Sequence, residues 1–241
     1  GQGWGEREYY PGGMAEYCAI WADKVYPLPD HVSCAEASFL DPVLASLHSV
    51  DVSRLAPCEQ VLILGAGPIG LSILQIAKSF GAANVVITDV CGPILDVAEN
   101  LGADKTIDVS SARGADLVPM VREHLGERGA EVIFNTVGTD ETIEQSLALL
   151  ARGGRLVLMA TKSDTLHIPA TALSGEKTIA TSANAQYRDF QRALDLVAWG
   201  SVKVEPLITH IFPLNRALDA FEIACNKERH AAIKVLIEMG P

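Results

Sequence analysis

The chain has few cysteines and none in a pattern. Cys18, Cys34, Cys58, Cys91 and Cys225 are scattered, odd in number and form no Cys-x-x-Cys pair, which excludes a disulfide framework and a clustered structural zinc site. They read as reduced, mostly small apolar fillers. The six histidines form no His-x-x-x-His or His-Glu-x-x-His pair, so local spacing alone assembles no complete metal site. Basic residues are also short: nineteen Lys and Arg against thirty Asp and Glu leave a formal charge of −11. That field draws the chain neither to nucleic acid nor to anionic lipid. No apolar run reaches the about 18 residues that span a bilayer, and Gly1 to Arg7 carry no positive-then-apolar leader pattern. The expectation is a cytosolic chain with no nucleic-acid or membrane partner. Internal repeats and low-complexity stretches are absent too.

What is present is enough apolar material for a large core. The 241 residues are 49% hydrophobic and 20% charged, with a mean hydropathy of +0.21, a composition that excludes disorder as the main state. From Val61 onward, short apolar β-branched runs alternate with longer amphipathic segments, the pattern of β-α-β units building a parallel sheet. Strands are expected at Val61 to Leu64, Val85 to Thr88, Thr106 to Asp108, Val132 to Asn135, Arg155 to Met159 and Thr178 to Ser182. Helices are expected at Ile69 to Phe80, Ile94 to Leu101, Leu117 to Leu125, Thr142 to Leu150 and Arg188 to Trp199. Gly81, Gly102, Gly126 and Gly153 each follow the last apolar residue of a proposed helix, where positive φ closes the turn. The fold class is therefore α/β, a doubly wound parallel sheet of the Rossmann kind. The two ends break the alternation. Short apolar segments (Met14 to Ile20, Lys24 to Leu28) lie at the start, and Leu207 to Phe212, a helix over Asn215 to Asn226 and a closing strand over Ala232 to Ile237 lie at the finish. They read as parts of a second unit.

The sharpest motif is Gly65-Ala66-Gly67-Pro68-Ile69-Gly70, between the strand Val61 to Leu64 and the helix that follows. The first glycine makes the tight turn, the second lets backbone approach a pyrophosphate, and the third lets the helix pack on the sheet. Helix N-terminal amides then face the anion. Asp89 ends the second strand about 20 residues on, where the dinucleotide fingerprint requires an acid for the adenosine ribose. Its charge repels a 2′-phosphate, which favours NAD over NADP. A methyltransferase sheet also ends its second strand in an acid, but the glycine spacing is the dinucleotide one.

The runs Gly12-Gly13-Met14-Ala15-Glu16-Tyr17, Tyr26-Pro27-Leu28-Pro29-Asp30, Asp41-Pro42 and Val61 to Gly70 carry a resemblance. Leu101-Gly102-Ala103-Asp104, Gly153-Gly154-Arg155, Pro206-Leu207-Ile208-Thr209-His210 and Ile233-Lys234-Val235 continue it to the C-terminus. Together they resemble the zinc-containing medium-chain dehydrogenases, nearest the sorbitol, butanediol and threonine dehydrogenase branch. The resemblance implies an NAD-binding domain (43–203) set between remnants of a GroES-like, β-rich catalytic domain (1–42 and 204–241). It also implies zinc-assisted hydride transfer from a secondary alcohol or polyol to the nicotinamide, and a homo-oligomer, dimer or tetramer, paired through Thr165 to Leu173.

Carried over position by position, the resemblance lays Ile69 along the cofactor. It sets Thr136, Val137 and Gly138, then Met159, Ala160 and Thr161, then Ala183, Asn184 and Ala185 along the adenine and nicotinamide. It brings Lys234 toward the pyrophosphate. Asp41 stands where the polyol branch has a glutamate that binds or approaches zinc, one methylene shorter. The branch often carries an arginine five residues after the ribose acid, where this chain has Ile94. The family's catalytic cysteine, its Gly-His-Glu motif and its four-cysteine zinc loop are not in the sequence, and the resemblance implies a preceding segment on the order of 100 residues that supplies them. His48, His167 and His210 read as structural, so no catalytic residue is assigned. Two alternatives stay open: a non-catalytic NAD-binding module, and a zinc-free relative of the quinone reductases.

Overall fold

The computed structural model describes residues 13–15, 17–20, 22, 25–111, 117–162, 165–186 and 188–240. Gly12, Glu16 and Lys24, quoted above, lie outside the described residues. The chain opens with a one-turn helix α1 (Cys34–Ala37), closed by a reciprocal Ser33–Glu36 capping box, and a longer α2 (Leu40–Ser53). Strict alternation follows: β1 (Gln60–Leu64), α3 (Pro68–Ser79), β2 (Asn84–Asp89), α4 (Gly92–Asn100), β3 (Lys105–Asp108), α5 (Leu117–Leu125), β4 (Ala130–Asn135), α6 (Asp140–Leu149), β5 (Leu150–Leu158) and β6 (Thr178–Thr181). After α7 (Asp189–Ala198) come β7 (Ile208–Pro213), α8 (Ala217–Cys225), α9 (Lys227–His230) and β8 (Lys234–Glu238).

Six strands form one parallel sheet in the order β3-β2-β1-β4-β5-β6, which is the Rossmann order and places its switch point between β1 and β4. The central strands carry unbroken apolar runs, Val61 to Leu64 and Val132 to Phe134, because both faces are covered. On one face Val61, Ile63, Val85, Ile87, Val132, Phe134 and Val157 share a core with α2, α3, α4 and α7. On the other, Leu62, Leu64, Val86, Ile133, Leu156 and Leu158 pack with α5 and α6. The C-terminal strands β7 and β8 pair in parallel as a separate two-stranded sheet, against which α8 lies.

The structure departs from the sequence expectations in two places. Gly81, Gly102 and Gly126 take positive φ just beyond α3, α4 and α5 as expected, but Gly153, with φ of 70°, lies within β5. There Leu150 pairs with Ala130 and Arg155 with Val132, so the residues between bulge out of the ladder. The second departure is α2, a fourteen-residue helix that the alternation did not announce and that carries Asp41 and Pro42 in its first turn.

Candidate functional site

The glycine loop sits at the switch point, and each glycine has its own reason to be there. Gly65 has a φ of 98°, and a Cβ on it would fall 2.4 Å from Thr136 Oγ1. Gly70 meets the turn from inside α3: a Cβ there would fall 1.9 Å from the Gly65 carbonyl oxygen. Gly67 is the opposite case, with extended backbone as the N-cap of α3 and nothing within 4 Å of a Cβ added to it. Its space is open toward solvent, a cradle that a side chain would fill. The first backbone hydrogen bond of α3 runs from Leu71 N–H to Gly67 C=O. Pro68 lacks an N–H, so Ile69 and Gly70 supply the amides ahead of that bond, at the positive end of the helix.

Asp89 is 6% exposed and holds the loop from below. Its Oδ2 accepts from Ala66 N–H at 2.7 Å and its Oδ1 from Cys91 N–H at 3.0 Å. Each carboxylate oxygen has a second lone pair, so two acceptor positions remain for ribose hydroxyls. Across the switch point, Asn135 shapes the end of β4. Its Oδ1 accepts from Val137 and Gly138 N–H, and its Nδ2 donates to Ser146 Oγ. Thr136 Oγ1 donates to Leu64 C=O at 2.8 Å, tying β4 to β1.

Two cavities open above these strand ends. The first, about 550 Å³, is lined by Gly65, Gly67, Pro68, Ile69, Asp89, Thr136, Val137 and Ala160 among the expected residues. The second, about 470 Å³, is lined by Ile69, Thr136, Met159, Ala160, Ala183 and Asn184. Ile69, Thr136 and Ala160 border both, so the pair runs continuously across the switch point, each within the size range of small-molecule sites.

Other expected residues stand elsewhere. Gly70 serves the packing of α3 on the turn. Gly138, with φ of 72°, lets β4 approach β5, since a Cβ there would fall 2.2 Å from Ala160 C=O. Thr161 and Ala185 are exposed and border neither cavity. Lys234 Nζ lies 5.9 Å from the centre of the Phe39 ring, a cation–π contact rather than a cavity wall. Asp41 is exposed on α2, and among the described residues no group of three or more His, Cys, Asp or Glu gathers to hold a metal ion.

Sequence reasoning missed several lining residues. Glu141, Thr142 and Gln145 come from the first turns of α6, and Lys227 and Glu228 from α9, far along the chain. The Thr139–Thr142 capping pair at the start of α6 was the one local signal that its N-terminus is a built feature.

The family profile of the zinc-binding dehydrogenases matches residues 68–199, more than half of the chain. The chain belongs to this family. Sheep (Ovis aries) sorbitol dehydrogenase is 30% identical over 230 residues, covering 95% of this chain and 64% of that protein. The chain thus spans just under two thirds of the length of that curated relative. Among solved structures, an Escherichia coli oxidoreductase/dehydrogenase of unknown specificity superposes with a TM-score of 0.83 at 28% identity, covering 90% of this chain and 61% of its own. A zinc-binding dehydrogenase of Sinorhizobium meliloti 1021, solved bound to NADP, does so with a TM-score of 0.79 at 27% identity, covering 89% and 62%.

Proposed function

We propose that this chain binds NAD and serves hydride transfer between a secondary alcohol or polyol and the nicotinamide ring. The observation that carries the reading is the open cradle over Gly67, between a buried ribose acid and two cavities that join at the switch point. A dinucleotide has three parts, and the site offers three matching features. The pyrophosphate meets the amides of Ile69 and Gly70, the adenosine ribose meets Asp89, and the nicotinamide half extends into the second cavity. When bound, NAD supplies the hydride acceptor. The chain's own residues bind it, orient it and shield it with the apolar walls of Ile69, Met159 and Val137.

The similarity to sorbitol dehydrogenase supports the alcohol or polyol substrate class. Zinc chemistry is a different matter. The described residues do not fit a metal ion that needs three protein ligands, so no step here runs through zinc, and Asp41 stays a proposal for a single contact. Four of the five free cysteines are exposed, which suits a reducing compartment such as the cytosol.

Calorimetric titration with NAD and NADP tests the cofactor. NAD is expected to bind tighter by about 1.5–3 kcal/mol, the worth of hydrogen bonds to a charged acceptor. Because Asp89 also holds the Ala66 and Cys91 amides, Asp89→Ser should weaken both cofactors while erasing the preference. An unchanged NAD to NADP ratio in that variant overturns the assignment of Asp89, even though the S. meliloti relative carries NADP.

The reading extends to a homo-oligomer. β6 is the last strand in the sheet order, and Leu166 and Leu173 are exposed in the segment that leads into it, features that invite edge pairing between copies. Light scattering should give two or four times the monomer mass at micromolar concentration. A monomer there counts against the pairing.

A further inference from the structure

A third cavity, of about 450 Å³, opens at the other end of the main sheet. It is lined by Gly129 just before β4, Leu150 at the start of β5, and Ser174, Gly175 and Lys177 ahead of β6. The length of β4, about 17 Å, lies between it and the switch point. Helices α5 and α6 also end here and bring Arg122 and Leu149 onto the wall. In a chain with a formal charge of −11, four cations meet at this cavity, Arg122, Arg128, Arg152 and Lys177, and Glu127 is the one acid in the lining. Glu176, between Gly175 and Lys177 in sequence, does not line it.

Helix ends account for part of this charge, since basic side chains satisfy the last carbonyls of a helix. Arg122 donates to Ala148 C=O at 3.1 Å and to Glu127 at 3.2 Å, and Arg128 pairs with Glu131. Two cations have no acid. Lys177 Nζ donates to Leu147 C=O at 2.8 Å, a neutral partner that takes one of its three donors, and partial burial holds its ammonium below the ordinary lysine range. Arg152 has no hydrogen-bond or ion-pair partner among the described residues. It sits in the bulge of β5, which is tied to the turn before β6 by Gly153 N–H donating to Gly175 C=O at 2.7 Å. The Arg152 stem lies against that turn: a Cβ on Gly175 would fall 3.2 Å from its Cγ. The bulge thus places a free guanidinium beside Lys177.

The charge balance selects the ligand. With Glu127 and Glu131 set against four cations, two positive charges stay unanswered, and a phosphate monoester carries about −1.5 to −2 at neutral pH. A guanidinium is a planar fork that matches two oxygens of such an anion, and an ammonium adds a point charge. The volume lies in the range of small-molecule sites, with room for the carbon part of an ester. We propose that this cavity is a second ligand site, separate from the dinucleotide site, that takes a small phosphate monoester through Arg152 and Lys177.

Amide NMR on the full chain, titrated with glycerol 3-phosphate, tests the site. The amides of Gly153 and Gly175 should shift and saturate with a Kd near or below about 1 mM, and a matched titration with sodium chloride should leave them in place. Gly67→Val, which fills the cradle over the glycine loop, should bind the ester at this cavity as the wild type does. Arg152→Ala should bind it about tenfold more weakly or worse, the loss of a charge-assisted hydrogen bond, and should unfold at the wild-type temperature because Arg152 is exposed. Arg152→Lys keeps the charge without the fork and should fall between the two. Inorganic phosphate should use the same residues more weakly, lacking the contacts of the carbon part, and tighter binding of inorganic phosphate overturns the choice of an ester. Shifts confined to the glycine loop, shifts that chloride reproduces, or an Arg152→Ala variant that binds as tightly as the wild type overturn the site itself.

Discussion

Gly67→Val is expected to unfold at the wild-type temperature yet bind NAD at least about 100-fold more weakly, a loss of about 2.7 kcal/mol or more, whereas Gly70→Ala is expected to lose stability first. The two positions are three residues apart in one loop, and their surroundings are opposite. At Gly67 the backbone is extended, with φ of −70°, which any L-residue adopts, and a Cβ would touch nothing. Valine there adds bulk only to the space that the pyrophosphate would use. At Gly70 a Cβ would fall 1.9 Å from the Gly65 carbonyl oxygen, 3.0 Å from its carbon and 3.3 Å from Ile63 Cγ2.

The obstacle at Gly70 is backbone, and Gly65 N–H is itself bonded to Thr88 C=O at 2.9 Å. Relief therefore requires α3 to lift from the sheet, which exposes part of the core formed by Leu71, Ile73, Leu74 and Ile76. Overpacking a well-filled interior costs 1–3 kcal/mol and sometimes more, and the backbone contact puts Gly70→Ala at about 3 kcal/mol or above. Thermal denaturation and calorimetry on both variants separate the effects. If Gly67→Val binds NAD normally the loop is only a turn, and if Gly70→Ala is as stable as wild type then α3 is not pinned to the turn.

The residues that made this loop readable are those whose chemistry is local. A tight turn, a close approach and a helix start all draw on neighbours in sequence, so Gly65, Gly67 and Gly70 carry their function in their spacing. The strands were equally legible, because a sheet covered on both faces calls for apolar runs such as Val61 to Leu64 and Val132 to Phe134, all of them buried.

Legibility ended where partners come from far away. Helix α2 buries Ser46, Ser49 and Ser53 along with Leu40, Val43, Leu47 and Val50, and that polar admixture hides its period. Ser49 and Ser53 are satisfied locally, donating to the carbonyls of Ser46 and Val50, a solution that hydropathy does not register, while Ser46 donates to the Ile69 carbonyl in the first turn of α3. Lys227 reaches the first cavity from α9, with no spacing to connect it to Asp89. Lys234, the basic residue expected near the pyrophosphate, faces the Phe39 ring, a contact set by how the two ends of the chain meet.

The same distance effect conceals the polar junction behind the second cavity, where Asp189→Ala is expected to cost about 2–3 kcal/mol of stability. Asp189 opens α7, where a carboxylate is favoured by the helix dipole, and it is wholly buried. Its Oδ2 accepts from Gln186 N–H at 2.9 Å and lies 3.3 Å from His48 Nδ1 on α2. Its Oδ1 accepts from Arg192 at 3.3 Å. Arg192 also donates through both terminal nitrogens to Asp51 on α2, and that hydrogen bonding holds its guanidinium above the ordinary arginine range against the opposing effect of burial.

Removing one member of a buried pair commonly costs 3–5 kcal/mol because it strands the other charge. Here the stranded groups are the His48 and Arg192 side chains, 16% and 43% exposed, and water can reach them, which lowers the expected loss. What water replaces less well is the geometry. The Gln186 amide fixes the turn that follows Ala183 and Asn184, and Asn184 is held at φ of 58° on the wall of the second cavity. Chemical denaturation should register the stability loss, and hydrogen exchange at the Gln186 amide should accelerate in Asp189→Ala by more than the global loss accounts for. A stability change below about 0.5 kcal/mol, the range of ordinary surface substitutions, would mean that α2 and α7 are held by apolar packing alone, with this junction contributing nothing to the placement of the cavity wall.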